Sequence, residues 1–206
     1  MSLQNITLVA SHSNWRLFMI RKADPAFQKF AQKVLERDQY TCQYCGFSAN
    51  KNLDVINRDS DYRNNKLDNL ITACSLCAQC FFLEAVGKGE FGGGNLVYLP
   101  TMSQSELNAL CHVLFTATIT GSSYSIQAKN IYRGLRLQSQ IIEKEVGEGF
   151  SNPFLYGRLM IEIENEASKK LHETLLPHIR LLPDIGRFAQ QVKEWTNDSL
   201  EWLSAQ

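Results

Sequence analysis

Two Cys-x-x-Cys pairs constrain this chain more than any other feature of its sequence. Cys42 pairs with Cys45 in CQYC, and Cys74 pairs with Cys77 in CSLC, with 28 residues between the two pairs. Each segment turns back on itself and directs both sulfurs to one point, so together they supply the four ligands of tetrahedral zinc. Gly46 suits the first turn because glycine tolerates positive φ. We therefore predict one structural Zn²⁺ bound by these four cysteines.

The same residues have a second interpretation, four buried free thiols, and two further cysteines widen the choice of ligands. Cys80 competes with Cys77, but a pair made of Cys77 and Cys80 would leave Cys74 alone. Cys80 and Cys111 are therefore predicted to be core residues. A redox role is disfavoured because no βαβ pattern surrounds the pairs. We expect a cytoplasmic protein, since no targeting or membrane-spanning pattern is visible, and reduced cysteine pairs there favour metal over disulfides.

The balance of charges bears on the class of partner. Lysine plus arginine and aspartate plus glutamate number 21 each, so the formal net charge is zero over 206 residues. Nucleic-acid-binding proteins usually carry an excess of basic residues, because phosphate neutralisation dominates their affinity. With 44% hydrophobic residues the chain can bury a core of ordinary size. We expect a globular protein that does not bind nucleic acid.

Local patterns predict an α+β fold that begins with a short N-terminal β-hairpin. Residues 7–10 and 16–21 alternate in polarity around the turn SHSN, which predicts two strands. Asp24 and Pro25 then favour the start of a helix that ends near Arg37.

A second hairpin is predicted between the two cysteine pairs. Residues 53–59 have the composition of a strand, and SDYRNN after them is typical of a turn. Downstream, the glycine-rich residues 87–95 contain a G-x-G-x-x-G pattern and lead into a short strand, NLVYLP. A dinucleotide-binding fingerprint follows a strand and opens a helix, which is the reverse order. The glycines therefore indicate a flexible connection or a close backbone contact.

From residue 101 onward the chain is predicted to be almost wholly helical. Ser103 and Glu106 have the spacing of a capping box at the start of a helix that ends near Thr118. Further helices are predicted over residues 125–146, 152–164 and 166–182, and from about residue 186. We divide the chain into residues 1–100, with the N-terminal strands, a helix and the zinc module, and residues 101–206, a helical region packed with it as one unit.

The remaining polar and aromatic residues assemble into no further site. His112 follows Cys111 on an apolar helix and is predicted to be a core histidine. Trp15 is likewise assigned to the core. Trp195 and Trp202, in the last helix, are the candidates for a contact with a partner protein.

The cysteine module resembles that of the HNH endonucleases. The segments ERDQYTCQYCGF, LDVIN and NNKLDNLITACSLC carry the resemblance. It implies a ββα fold with a four-cysteine zinc site beside a divalent-metal active site. The family pattern has Asp-His-Ile on the first strand, where the histidine is the general base, and a metal-binding His or Asn directly after the second cysteine pair.

This sequence departs from that pattern at the positions that carry the chemistry. Asp54 and Ile56 match it, and Asn69 matches the asparagine that the family has before a leucine in the segment that enters the second cysteine pair. Val55, however, stands in place of the histidine and Ala78 in place of the closing residue. Valine cannot accept a proton, and alanine cannot bind a metal. The sequence therefore predicts a protein that is not an enzyme, in which Asp54 and Asn69 are structural turn and helix-cap residues.

A longer resemblance extends from about residue 14 to residue 182. RDQYTCQYCGF, CAQCFFLEAVG, GGGNLVYLP, NIYRGLRLQSQI and IRLLP are similar to the DotN (IcmJ) family of the Dot/Icm type IVB secretion system. The resemblance implies a non-catalytic, zinc-stabilised adaptor subunit of the coupling complex that exports effectors. It also implies binding to the C-terminal extension of the coupling ATPase DotL, in a complex with IcmS–IcmW.

The resemblance further implies a cytoplasmic location, peripheral to the bacterial inner membrane through the complex and without direct membrane insertion. The zinc-binding cysteines of that family match Cys42, Cys45, Cys74 and Cys77 of this sequence position by position. Two alternatives stay open at this point: a divergent HNH metal-dependent endonuclease, and a nucleic-acid-binding zinc module without chemistry.

Overall fold

The computed structural model describes the backbone of residues 3–163 and 166–204, and the side chains of these residues except 166–168, 171–172 and 199–204. Helices and short strands follow one another in this order: α1 (Asn14–Ala23), α2 (Pro25–Arg37), β1 (Leu53–Asn57), β2 (Leu70–Cys74), α3 (Ser75–Ala78), β3 (Gly94–Tyr98), α4 (Gln104–Ile119), α5 (Ser125–Leu137), α6 (Ser139–Glu145), α7 (Pro153–Glu162), α8 (Glu166–Leu175), β4 (Ile179–Pro183) and α9 (Ile185–Ser204). Single 3₁₀ turns lie at Leu67–Asn69, Gln79–Phe81, Leu83–Ala85 and Leu176–His178. The mixed α+β class is thus confirmed.

The hairpin predicted between the cysteine pairs is present. β1 and β2 run antiparallel, with Leu53 opposite Cys74 and Asn57 opposite Leu70. All of β2 is buried, and α2 covers the hairpin through a small apolar cluster that contains Val34 and Leu70. The hairpin leads directly into α3, so this stretch has the order strand, strand, helix.

The predicted N-terminal β-hairpin is wrong. Residues 16–21 belong to helix α1, in which Trp15, Phe18 and Arg21 repeat every three residues and turn toward the interior. Residues 7–10 form no strand; their Val9 exchanges backbone hydrogen bonds with Cys80 and Leu83, at 2.9 and 3.0 Å. A contact with a loop more than 70 residues away replaces the pairing of neighbouring strands.

The long helix predicted over residues 166–182 is also wrong in its second half. Helix α8 ends at Leu175, and residues 179–183 form β4, which pairs antiparallel with β3. Pro177 has no N–H to continue a helix, and the partner strand lies some eighty residues upstream, beyond the reach of local periodicity. The strand predicted at NLVYLP is confirmed as β3.

Helix caps follow the sequence closely, whereas one predicted helix is interrupted. The Ser103 side chain accepts the N–H of Glu106 (3.2 Å) and Glu106 accepts that of Ser103 (2.7 Å), which confirms the capping box. Asp24 caps α2 through the N–H of Ala26 (2.9 Å). The helix predicted over residues 125–146 breaks at Gln138 into α5 and α6, and the Gln138 carbonyl accepts the N–H of Tyr98 at 3.3 Å.

The glycine-rich segment makes the close backbone contact that was one of its two interpretations. A Cβ on Gly92 would lie 2.4 Å from Oε1 of Gln79, and Gly92 has a φ of +56°. Arg187 of α9 donates to the carbonyls of Gly92 (2.9 Å) and Gly89. The segment precedes a strand and is held from both sides, so it forms no phosphate loop.

The main core is continuous across both parts of the chain. Its buried apolar residues extend from Ile6 in the N-terminal segment to Trp195 in α9, and include the cysteines. None of the helices in the described part combines the length and the apolar content needed to cross a membrane.

Candidate metal centre

The first cysteine pair lies in a tight turn after α2. The turn is closed by the N–H of Cys42 on the carbonyl of Phe47 (2.8 Å) and by the N–H of Gly46 on the carbonyl of Cys42 (3.0 Å). Gly46 adopts a φ of +76°, which explains a glycine directly after Cys45. A single β-bridge between Thr41 and Ser48 flanks the turn.

The second pair is positioned by the hairpin. Cys74 is the last residue of β2, and Cys77 lies three residues later in α3, so the strand-to-helix junction brings the two sulfurs together. The Ser75 hydroxyl donates to the carbonyl of Asn52 (3.1 Å) and ties this junction to the start of β1.

The structure brings the four predicted residues into one cluster, which we call the four-cysteine cluster: Cys42, Cys45, Cys74 and Cys77. Their sulfurs all lie within 4.8 Å of one another, and all four residues are buried. Among the described residues this is the only group of three or more His, Cys, Asp or Glu ligand atoms so close together.

The cluster fits a tetrahedral metal ion better than disulfides. The Cys45 and Cys74 sulfurs are 3.6 Å apart, and the cysteines are free. A disulfide requires an S–S distance of about 2.05 Å. A tetrahedron with Zn–S bonds of about 2.3 Å has sulfurs about 3.8 Å apart. The observed separation therefore matches the edge of a zinc-thiolate tetrahedron.

Burial and mutual contact shape the protonation of the cluster. Burial raises the pKa of Cys74 and of Cys77 well above the ordinary thiol value. Burial also acts on Cys42, but hydrogen bonds from the other three thiols outweigh it and hold the pKa of Cys42 well below its ordinary value. Deprotonation of all four thiols in this apolar setting would require a cation beside them.

Helix α4 supplies two polar neighbours that the sequence interpretation missed. The Asn108 amide donates to the Cys77 sulfur at 3.2 Å, and Nε2 of His112 lies 3.3 Å from the Cys74 sulfur. The His112 ring stacks on Phe47 with centroids 3.7 Å apart. Burial lowers the pKa of His112 to about 4, so the ring is neutral at pH 7. The i, i+4 spacing of these residues on one helix face was the signal for this pair.

His112 is thus buried, as predicted for a core histidine, but it also touches the cluster. Cys80 and Cys111 are fully buried outside the cluster, which confirms their assignment to the core. Burial raises the pKa of each of these two thiols to about 12.

The tryptophan predictions have mixed outcomes. Trp15 packs against Phe82 and Phe91, in agreement with its assignment to the core. The prediction that Trp195 contacts a partner protein is wrong, because its side chain is only 5% exposed. Its indole N–H donates to the carbonyl of Lys51 at 3.0 Å. The side chain of Trp202 lies outside the described residues.

The residues that match the HNH pattern are held by contacts within the chain. Asp54 lies on β1, not in a turn, and forms an ion pair with Lys22. The guanidinium of Arg21 is beside it and donates to the carbonyl of Val55 at 2.7 Å. Cations of the chain itself therefore already neutralise this carboxylate. Ala78 is fully buried.

Asn69 is structural, as predicted, but it does not cap a helix. Its side-chain amide donates to Asp59 and to the carbonyl of Asn64, both at 2.9 Å, and its carbonyl oxygen accepts the N–H of Asp59 at 3.2 Å. These bonds hold the hairpin loop in shape.

The protein is thus an α+β protein built around four buried cysteines with the spacing of a closed metal site. No protein-family model matches the chain. The chain is 48% identical over 199 residues to the type 4 apparatus protein DotN of Legionella pneumophila subsp. pneumophila, covering 97% of this chain and 92% of that protein. The chain therefore belongs to the DotN family, as its sequence segments predicted.

Proposed function

We propose that this protein is a non-catalytic subunit of a type IV (Dot/Icm) secretion apparatus, stabilised by one zinc ion. The observation that carries this proposal is the 48% identity over 97% of the chain to a protein named for that apparatus. In this proposal the protein binds the C-terminal extension of the coupling ATPase DotL, in a complex with IcmS–IcmW. It lies at the cytoplasmic side of the inner membrane and is attached through that complex.

Zinc is assigned to the four-cysteine cluster on its donor chemistry and its geometry. Four sulfur donors form a closed set that favours Zn²⁺ and leaves no open position for a substrate or water. Asn108 and His112 then act on the ligands rather than on the metal, by placing N–H dipoles against two thiolates. In this proposal zinc binding contributes to the free energy of folding, and the chain itself determines the shape of the folded protein.

The absence of catalysis is inferred from the residues at the HNH positions. Val55 offers no base, and its side chain is buried against α2 in the same apolar cluster as Val34. Lys22 holds the Asp54 carboxylate that a catalytic metal would require. The strand, strand, helix order around the cysteines supports descent from an HNH-like module without its chemistry.

We also propose that residues 1–100 and 101–206 act as one unit. Helix α4, from the second part, contacts the cluster through Asn108 and His112, and α9 places Trp195 against Phe47 with ring centroids 4.8 Å apart. A partner would therefore meet a single rigid body.

The test is co-purification of the zinc-loaded full-length protein with the cytoplasmic C-terminal extension of the cognate coupling ATPase. A stable stoichiometric complex is expected, with one zinc per chain by elemental analysis. Failure of the purified, zinc-loaded protein to bind would contradict the proposal. Cleavage of plasmid DNA in magnesium or manganese, lost in Asp54→Ala, would revive the nuclease alternative.

A further inference from the structure

Helix α5 is anchored by one face and exposed on the other. On the inner face Ala128 is buried, and the Tyr132 hydroxyl donates to the carbonyl of Pro183 at 2.9 Å. On the outer face Ile126 is 73% exposed and Leu137 is 61% exposed. Two large aliphatic side chains thus face solvent from a helix that is firmly held.

The outer face has the spacing of a helix-pairing stripe. Ile126, Asn130, Arg133 and Leu137 follow one another at intervals of four, three and four residues. This interval pattern places all four on one side of a helix, as in the seam between two packed helices. The two ends of the stripe are aliphatic and its middle is polar, so a partner helix on this face would make apolar contacts at the ends and polar contacts with Asn130 and Arg133 between them.

The same face carries positive charge without any negative charge nearby in the sequence. No aspartate or glutamate occurs between Glu106 and Glu143, whereas Lys129, Arg133 and Arg136 are all exposed on α5. The guanidinium groups of Arg133 and Arg136 form no ion pair with any described residue. Both line a shallow surface cavity of about 490 Å³ at the junction of α5 and α6.

Gly134 lies inside helix α5, and no contact within the described part of the protein requires a glycine there. A Cβ added there would meet no atom within 4 Å, and its φ is not positive. Glycine destabilises the interior of a helix relative to alanine. Its place beside the stripe is explained if the backbone of another helix approaches closely there.

We propose that the outer face of α5 is the docking surface for an acidic amphipathic helix of a partner protein. The carboxylates of that helix pair with Arg133 and Arg136 at the cavity, its apolar residues pack on Ile126 and Leu137, and its backbone crosses near Gly134. The inference rests on the proposed function, which supplies the partner, and adds the surface and the chemistry of the element that it binds.

A lipid surface fits this face less well than a protein helix does. A helix that enters a membrane interface needs a continuous apolar face. Here Asn130 and Gly134 occupy the centre of the exposed side and gain nothing from hydrocarbon. Two arginines at one cavity also match the bidentate recognition of carboxylates, which a row of carboxylates on a helix supplies.

The experiment measures binding of the C-terminal extension of the cognate coupling ATPase to zinc-loaded full-length protein by calorimetry. Two variants disrupt the surface, Arg133→Glu with Arg136→Glu, and Gly134→Leu. The matched control is Lys29→Glu with Lys33→Glu, an equal change of charge on two exposed residues of α2. All variants are checked by thermal unfolding, and sedimentation with vesicles of phosphatidylglycerol and phosphatidylcholine is measured in parallel.

Each surface variant is expected to weaken binding at least about tenfold, and the control less than about threefold. Gly134→Leu is informative because it should not lower the thermal midpoint while it weakens the complex. Wild-type binding that both surface variants retain would overturn the inference and leave the proposed function standing. No binding by the wild type would overturn both. Vesicle binding that the arginine variant loses would reassign the face to lipid.

Discussion

The six cysteines differ in their surroundings, and this difference distinguishes the candidate metal ligands from the cysteines that only pack in the core. The four-cysteine cluster and Cys80 and Cys111 are all buried, so burial alone does not distinguish them. What differs is mutual distance: the cluster sulfurs converge within 4.8 Å, whereas the other two thiols lie outside that set. Substitutions at the two kinds of position should therefore have different effects.

Cys42→Ser is expected to release the zinc ion and to lower the free energy of unfolding by more than about 4 kcal/mol, because the metal supplies folding free energy. Zinc content by elemental analysis and urea unfolding measure the two effects. The control, Cys111→Ala, should keep one zinc per chain and cost about 1–2 kcal/mol for a small cavity. Retention of one zinc and of full stability in Cys42→Ser would exclude a structural zinc there.

His112→Phe tests the contact between the α4 histidine and the cluster. Phenylalanine keeps the stack on Phe47 but removes the ring nitrogen 3.3 Å from the Cys74 sulfur. Zinc affinity should fall by about 10–100-fold, as for other groups that support metal ligands. Competition with a chromophoric chelator measures the affinity. His178→Phe is the control, and equal affinities in the two variants would show that His112 only fills space.

At the level of helices and turns, close packing explains why residue 157 is a glycine, whereas no contact within the described residues explains the glycine at position 134. Gly157 in α7 faces the 3₁₀ turn Leu83–Ala85, where an added Cβ would lie 2.6 Å from the backbone nitrogen of Glu84. Gly134 in α5 faces open space. The two glycines are both helical, so alanine probes packing at one and helix propensity at the other.

Gly157→Ala should destabilise the protein by about 1–3 kcal/mol, because backbone must move to admit the methyl group. Gly134→Ala should stabilise it by up to about 1 kcal/mol through helix propensity alone. Both are measured by urea unfolding at constant zinc. A stabilising Gly157→Ala would mean that α7 shifts away from the 3₁₀ turn at little cost.

At the scale of the whole molecule, α4 connects the cysteine module to the second sheet. Gln104 at its start exchanges hydrogen bonds with the backbone of Leu181 in β4, at 2.7 and 2.8 Å. Asn108 and His112, one and two turns later, contact the cluster. Direct contacts through α4 therefore join the four-cysteine cluster to the second sheet, and we expect that disruption of the cluster affects the sheet.

Removal of zinc with a strong chelator is expected to remove hydrogen-exchange protection from α4 and β4 together with β1 and β2. The reason is that the buried bonds of Asn108 and Gln104 depend on the position of α4, which the cluster holds. Exchange followed by mass spectrometry measures the protection of each segment. Loss confined to the hairpin would show that the two parts of the chain are independent.

Features that depend on short spacing along the chain could be predicted from local sequence patterns. Local patterns predicted four features correctly: the two cysteine pairs, the hairpin between them, the helix caps at Asp24 and Ser103, and the relation to the DotN family. Each rests on residues a few positions apart, or on direct identity, so no long-range contact was needed to predict it.

Features that depend on residues far apart in the sequence could not be predicted in this way. α1 replaced a predicted strand because Phe18 and Arg21 pack inward as a helix face, and β4 formed because β3 was available to pair with it. Trp195 lies in the core, and its indole N–H donates to the carbonyl of Lys51. His112 contacts Cys74 because α4 packs beside the four-cysteine cluster. Local periodicity carries no information about which surfaces come into contact, and those contacts form the surroundings of the four-cysteine cluster.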